Sequence, residues 1–180
     1  MYQAYPPFED SEFVHVGGIL RHFRDVQTFI FDVDGVLTNN EVLVMETGEQ
    51  LRKMNIRDGY ALKKAVQEGF QVMILTGGKS KGVLQRLKDL GVVDVVLDVD
   101  DKLATYKDFV AAYRLDESQI LYMGDDVPDL EVMHRVGLPT CPKDAIPEAL
   151  RLTQYVSPFK GGEGCVRDVI EKVLKLNGKW

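Results

Sequence analysis

Cysteine is nearly absent from this chain: Cys141 and Cys165 stand alone among 180 residues. Neither sits in a metal-type spacing and a disulfide scaffold would carry more, so a reducing compartment is expected. An excess of positive charge is lacking too, with 22 basic against 28 acidic side chains and a net charge of −6. That speaks against nucleic acid as the main partner, because backbone phosphates demand a concentrated basic surface. A local site can still hold a small anion against the overall sign. No apolar run approaches the roughly 20 residues of a membrane span, and Met1 to Pro7 contains no apolar signal-peptide core. The expected setting is cytoplasmic, without membrane contact. At this length one domain buries its core unaided.

What the chain does have is an apolar strand that ends abruptly in acid: Thr28-Phe29-Ile30-Phe31-Asp32-Val33-Asp34-Gly35-Val36-Leu37-Thr38. Strand alternation lets Asp32 and Asp34 lean toward one spot while Val33 turns into apolar packing, and Gly35 permits a sharp turn. Two such carboxylates repel unless a cation or a shared proton offsets them. Taken alone, the segment is also readable as a plain Asp-Gly turn. An EF-hand calcium loop fails on spacing, since Val36 and Leu37 stand where an oxygen ligand and a glycine belong.

Strand and helix patterns alternate from there on. Residues 1–26 form an N-terminal extension with Pro6-Pro7, a Gly17-Gly18 break, a short helix at 19–23, and His15 and His22 as surface residues. Residues 27–180 form a single domain. Within it, 41–56 reads as a hairpin whose Val42, Val44, Leu51, Met54 and Ile56 are too few to stand alone in water. Asp58 is the expected N-cap of a helix ended by Gly69, with Ala61, Leu62, Ala65 and Val66 inward. Further strands are expected at 70–75, 92–97, 120–123 and 137–141, and the helix at 102–113 should bury Leu103, Tyr106, Val110 and Tyr113. Pro128 suits a helix start, and Val166, Ile170, Val173 and Leu174 line a last helix. The implied fold is α/β: a Rossmann-like parallel sheet flanked by helices, whose ligands gather at the carboxyl ends of its strands.

Polar clusters fall at those ends: Asp32 and Asp34, then Thr76-Gly77-Gly78, then Lys102, then Gly124-Asp125-Asp126-Val127-Pro128-Asp129. Each alone passes for a turn, a surface lysine or a helix-start carboxylate. Together they can hold a hard divalent cation, with magnesium the usual partner of carboxylates and a phosphate, and a hydroxyl and an ammonium face the remaining phosphate oxygens.

With these motifs the chain resembles the haloacid dehalogenase (HAD) superfamily of aspartate-dependent phosphohydrolases over about residues 27 to 175. The resemblance implies Asp32 as a nucleophile forming an aspartyl phosphate, and Asp34 as the acid and then base. It implies Mg2+ held by Asp32, the Asp34 carbonyl and Asp125. Thr76, Gly77 and Lys102 would bind the phosphoryl group, with Asp126 and Asp129 in support. Only about 20 residues separate Thr38 from the helix near Asp58, too few for a cap domain.

The hairpin, Asn55-Ile56-Arg57-Asp58-Gly59-Tyr60 and Gly161-Gly162-Glu163-Gly164 further resemble the capless 3-deoxy-D-manno-octulosonate 8-phosphate phosphatase family. That implies release of phosphate from this sugar acid during lipopolysaccharide precursor synthesis, by a homotetramer with shared active sites. Arg57, with Lys79 or Lys160, becomes a candidate for the substrate carboxylate; Arg57 equally suits a helix-start salt bridge. The glycine-rich segment is either a lid supplied in trans or a flexible approach to the last helix. Gly78 and Glu163 stand where many members carry arginine, which leaves a nine-carbon ulosonate 9-phosphate open as substrate. The alternatives outside phosphatase chemistry are a receiver-like domain and a catalytically idle assembly module.

Overall fold

The computed structural model describes residues 12–180, with side chains from Gly18 onward; Pro6-Pro7 and the His15 side chain lie outside the described residues. At its centre is β1 (Thr28–Phe31), buried at every residue because helices cover both faces of the sheet. In chain order follow β2 (Leu43–Val44), β3 (Gln50–Leu51), β4 (Gln71–Leu75), β5 (Asp94–Val96), β6 (Ile120–Met123), β7 (Leu138–Cys141) and β8 (Tyr155–Val156). The helices are α1 (Glu12–Asp25), α2 (Ile56–Gln67), α3 (Lys81–Asp89), α4 (Lys102–Tyr113), α5 (Leu130–Met133), α6 (Pro147–Leu152) and α7 (Cys165–Leu176).

Six parallel strands form one sheet in the order β5-β4-β1-β6-β7-β8, and β2 and β3 make a separate antiparallel pair. Without that hairpin, the order is the 3-2-1-4-5-6 of a doubly wound sheet, whose direction of winding reverses between β1 and β6. A receiver domain has a different strand order, 2-1-3-4-5. Register brings the site into line: Phe31 pairs with Ile74 of β4 and with Met123 of β6, so all three strands release their chains at one level.

Alternation along β1 divides the core. Phe29 and Phe31 pack with α2, α3 and α7 on one face, while Ile30 joins Met73, Leu75, Tyr106, Tyr122 and Val132 on the other. The inward stripe of α7 runs as its period predicts, with Val166, Ile170, Val173 and Leu174 all buried.

Four local expectations change. Helix α1 runs unbroken through Gly17-Gly18, because Phe23 and the following Val26 are buried in the core beside α7, offsetting roughly 1 kcal/mol per helical glycine. Helix α2 begins at Ile56, capped by Asn55 Oδ1 accepting from Arg57 N–H at 2.8 Å, so Asp58 is not its cap. In α4 it is Phe109 that is buried, whereas Tyr113 is half exposed and donates its hydroxyl to Asp94. β8 was not expected, since two residues are too short to show a period. Between β1 and α2 lies only the hairpin, so no cap domain is present among the described residues, and no described helix is long and apolar enough to cross a membrane.

Candidate active site at the switch point

Residues 33–37 leave β1 in one wide turn, closed by Thr38 N–H donating to the Val33 carbonyl at 3.0 Å. Gly35 makes the turn possible twice over. Its φ is +86°, and a Cβ there would stand 2.1 Å from Asp125 Oδ2. The strap 161–164 presses on this turn from outside: a Cβ on Gly161 would fall 1.9 Å from the Gly35 carbonyl, and Gly162 N–H donates to the Val36 carbonyl. The strap therefore lies over the turn of its own chain. It is tied down from α2, where Asn55 Nδ2 reaches the Gly162 carbonyl and Asp58 Oδ1 accepts from Arg167 N–H at 2.7 Å, close to the start of α7. Burial pushes Asp58 up to about 6.

Asp32, Asp125 and Asp129 each offer an oxygen within 4.8 Å of the others. Their engagement differs. Asp129 Oδ1 accepts from Lys102 Nζ at 2.7 Å and Tyr122 Oη at 2.6 Å, and its Oδ2 accepts the Asp125 and Asp126 amides. Both its oxygens are thus occupied, which fits a supporting carboxylate better than a ligand. Asp125 Oδ1, by contrast, is buried with no hydrogen-bond partner. An orphaned buried carboxylate oxygen beside a second carboxylate is what a divalent cation satisfies, so these residues fit one.

Lys102 Nζ bridges Asp32 Oδ2 at 2.9 Å and Asp129 Oδ1 at 2.7 Å. Burial opposes its charge, yet the two carboxylates outweigh that and hold its pKa above the ordinary lysine value. Asp32 is pushed up to about 6, by burial first and repulsion from Asp129 second, against the pull of Lys102. Asp125 is pushed up to about 7, by burial and then by Asp32 and Asp129.

Asp34 faces outward from this cluster. Arg52 grips it with two bonds, Nε to Oδ1 at 2.7 Å and Nη2 to Oδ2 at 3.0 Å. Thr76 is buried at the end of β4, its Oγ1 accepting the Gly78 amide at 3.1 Å. Lys79 is exposed and paired with Asp98 at 2.7 Å, on the wall of an open pocket of about 1100 Å³ that starts beside Asp34. Arg57 and Lys160 are exposed and do not line it, and among the described residues Arg57 makes no ion pair, so the helix-start salt bridge is absent. Asp126 is exposed and caps the turn at 127–129. Sequence reasoning passed over two residues, Arg52 and Tyr122. A hairpin cation and a strand tyrosine carry no local mark of what they will face.

The doubly wound order, with an aspartate pair at the switch point and a lysine between carboxylates, defines the class: an aspartate-based phosphohydrolase of the HAD type. No family model matches the chain. It is 34% identical over 161 residues to the 3-deoxy-D-manno-octulosonate 8-phosphate phosphatase KdsC of Salmonella typhi, covering 89% of this chain and 86% of that protein. A HAD superfamily (subfamily III A) hydrolase from Legionella pneumophila superposes with a TM-score of 0.90 at 27% identity, over 95% of this chain and 94% of that one. The Moraxella catarrhalis 3-deoxy-D-manno-octulosonate 8-phosphate phosphatase, solved with magnesium, phosphate and KDO, superposes at 0.86 with 28% identity, over 90% of this chain and 93% of that one. The chain belongs to the 3-deoxy-D-manno-octulosonate 8-phosphate phosphatase family.

Proposed function

We propose that the chain hydrolyses 3-deoxy-D-manno-octulosonate 8-phosphate to the free sugar acid and phosphate, a step in lipopolysaccharide precursor synthesis in the cytoplasm. The observation that carries the chemistry is Asp32 held by Lys102 at 2.9 Å within a carboxylate cluster, at the switch point of the sheet. Asp32 attacks phosphorus and becomes an aspartyl phosphate while the sugar's C8 oxygen leaves. Asp34 gives that oxygen a proton, then takes one from the water that cleaves the aspartyl phosphate. Thr76 Oγ1, the Gly77 amide and Lys102 hold the phosphoryl oxygens, and Asp129 with Tyr122 fixes Lys102. Asp32, Asp125 and the Asp34 carbonyl would hold Mg2+, which supplies charge neutralisation for the transferring phosphoryl group.

The substrate is tested by ranking catalytic efficiency on the eight-carbon 8-phosphate, a nine-carbon ulosonate 9-phosphate and p-nitrophenyl phosphate, all with Mg2+. The eight-carbon ester is expected to lead by at least about 10-fold. A lead for the nine-carbon ester would reassign the substrate, and no turnover of any ester would leave an idle assembly module.

Assembly as a homotetramer is supported by the hairpin. Leu43 and Val44 are 63% and 62% exposed, Val42, Met45 and Leu51 are also uncovered, and strands of two residues do not stand alone in water. Other copies of the chain are the proposed cover, and Arg57 and Lys79 are the proposed cations for the substrate carboxylate. Light scattering should give four times the 20.3 kDa chain mass. A monomer at micromolar concentration would remove the shared-site reading.

A further inference from the structure

Three chemically distinct groups converge on Gly78. A Cβ built there would lie 3.2 Å from Asp34 Oδ2, 3.5 Å from Thr76 Oγ1 and 3.6 Å from Arg52 Nη2. A hydroxyl suited to a phosphoryl oxygen, a carboxylate suited to the leaving oxygen and a guanidinium thus meet around one glycine, close enough that a side chain there would crowd Asp34. The Arg52 side chain is only 7% exposed although it comes from the otherwise exposed hairpin. Its Nη1 is anchored on the Gln50 carbonyl at 3.2 Å, leaving Nε and Nη2 as the fork on Asp34.

We propose that Arg52 is a substrate-binding residue, which pairs with Asp34 in the free enzyme and passes part of its fork to an oxygen of the incoming phosphomonoester. This rests on the phosphatase reading above. Charge supports it. Asp32, Asp34, Asp125 and Asp129 are met by two cations, Lys102 and Arg52, and Lys102 is already shared between Asp32 and Asp129. An entering phosphate adds negative charge beside Thr76, and Arg52 is the cation there whose ties are to Asp34 and one carbonyl. A guanidinium fork fits two phosphate oxygens as well as two carboxylate oxygens. The transfer also frees an Asp34 oxygen for the leaving group. Beyond Arg52 the pocket wall carries Lys79, Lys81 and Arg86, a surface that accommodates the rest of an anionic substrate.

The competing explanation is that Arg52 only positions Asp34, and the two differ in what inorganic phosphate feels. Arg52→Ala and Arg52→Lys are compared with the parent on p-nitrophenyl phosphate, on the ulosonate 8-phosphate, and for inhibition by inorganic phosphate. In Arg52→Ala, KM for both esters and Ki for phosphate should rise together, roughly 10- to 100-fold. The kcat on p-nitrophenyl phosphate should change less than about 3-fold. Arg52→Lys should recover only part of the loss, because a point charge lacks the fork, and it guards against a hairpin that fails to form. An unchanged Ki, with kcat loss confined to the sugar ester whose alkoxide needs a proton, would overturn the assignment and leave a positioning residue; so would no effect on any ester. Failure of the parent on the ulosonate alone would refute that substrate without touching the phosphate measurement.

Discussion

Asp32→Asn is expected to lower turnover at least about 1000-fold, since it removes the nucleophile itself. Its shape is kept. The Val33 N–H that now donates to Asp32 Oδ1 at 2.7 Å can donate to the amide oxygen instead. On the other side the amide nitrogen would face Lys102, which keeps Asp129 at 2.7 Å as its counter-charge. That lost ion pair is set against relief from repulsion with Asp129, so the net change in stability should stay within about 2 kcal/mol. Circular dichroism and a thermal melt check the fold, and phosphate release with Mg2+ checks the chemistry. Residual activity within about 10-fold of the parent would mean that another group attacks phosphorus and would sink the aspartyl-phosphate mechanism.

The chemistry was legible because it sits where local pattern is strongest. An apolar strand that stops at Asp32-Val33-Asp34-Gly35 announces both a buried strand and a charged end, and Gly124-Asp125 repeats the message on β6. Strand alternation with helices then sets the parallel sheet, and the sheet brings the two ends level. What escaped depends on contacts between segments distant in the chain. Asp58 resembles a cap for its own helix, but Asn55 does that task and Asp58 instead accepts the amide of Arg167. Gly161 meets Gly35 in a fold where α2 and α7 also pack together, and no period along 161–164 records that meeting. Arg52 reaches Asp34 only because the hairpin folds back over β1's end, which its few apolar residues do not dictate. Gly78, which in the sequence only left the length of the sugar open, stands in the structure against Asp34 and beside a guanidinium from elsewhere, Arg52.

The second large effect concerns metal and pH together. Asp32 and Asp125 are pushed up to about 6 and about 7, so the metal-free fold favours their protonated forms. For a carboxylate raised above its unfolded value, that contribution is complete below about pH 4 and is lost as pH rises through the folded value. Metal-free protein should therefore lose stability on these groups' account between about pH 4 and 8, by a few kcal/mol for the coupled pair. A divalent cation takes the protons' place, and it competes with them below neutrality. Mg2+ at about 100 times its dissociation constant should add roughly 2.7 kcal/mol at pH 8, some 5 to 10 °C in Tm for a chain of this size, and far less at pH 5.5. Asp125→Asn sharpens the test, because it removes a buried charge from the cluster whose Oδ1 has no partner. In chelator at pH 8 the variant should melt above the parent, and Mg2+ should no longer raise its Tm. A parent whose Mg2+ increment is equal at both pH values, or a variant that keeps it, would place the cation away from Asp32 and Asp125. Stability surrendered at pH 8 by the metal-free cluster is then the reason these carboxylates bind a cation at all: the fold holds their charges so close that a proton or a metal relieves what Lys102 leaves unmet.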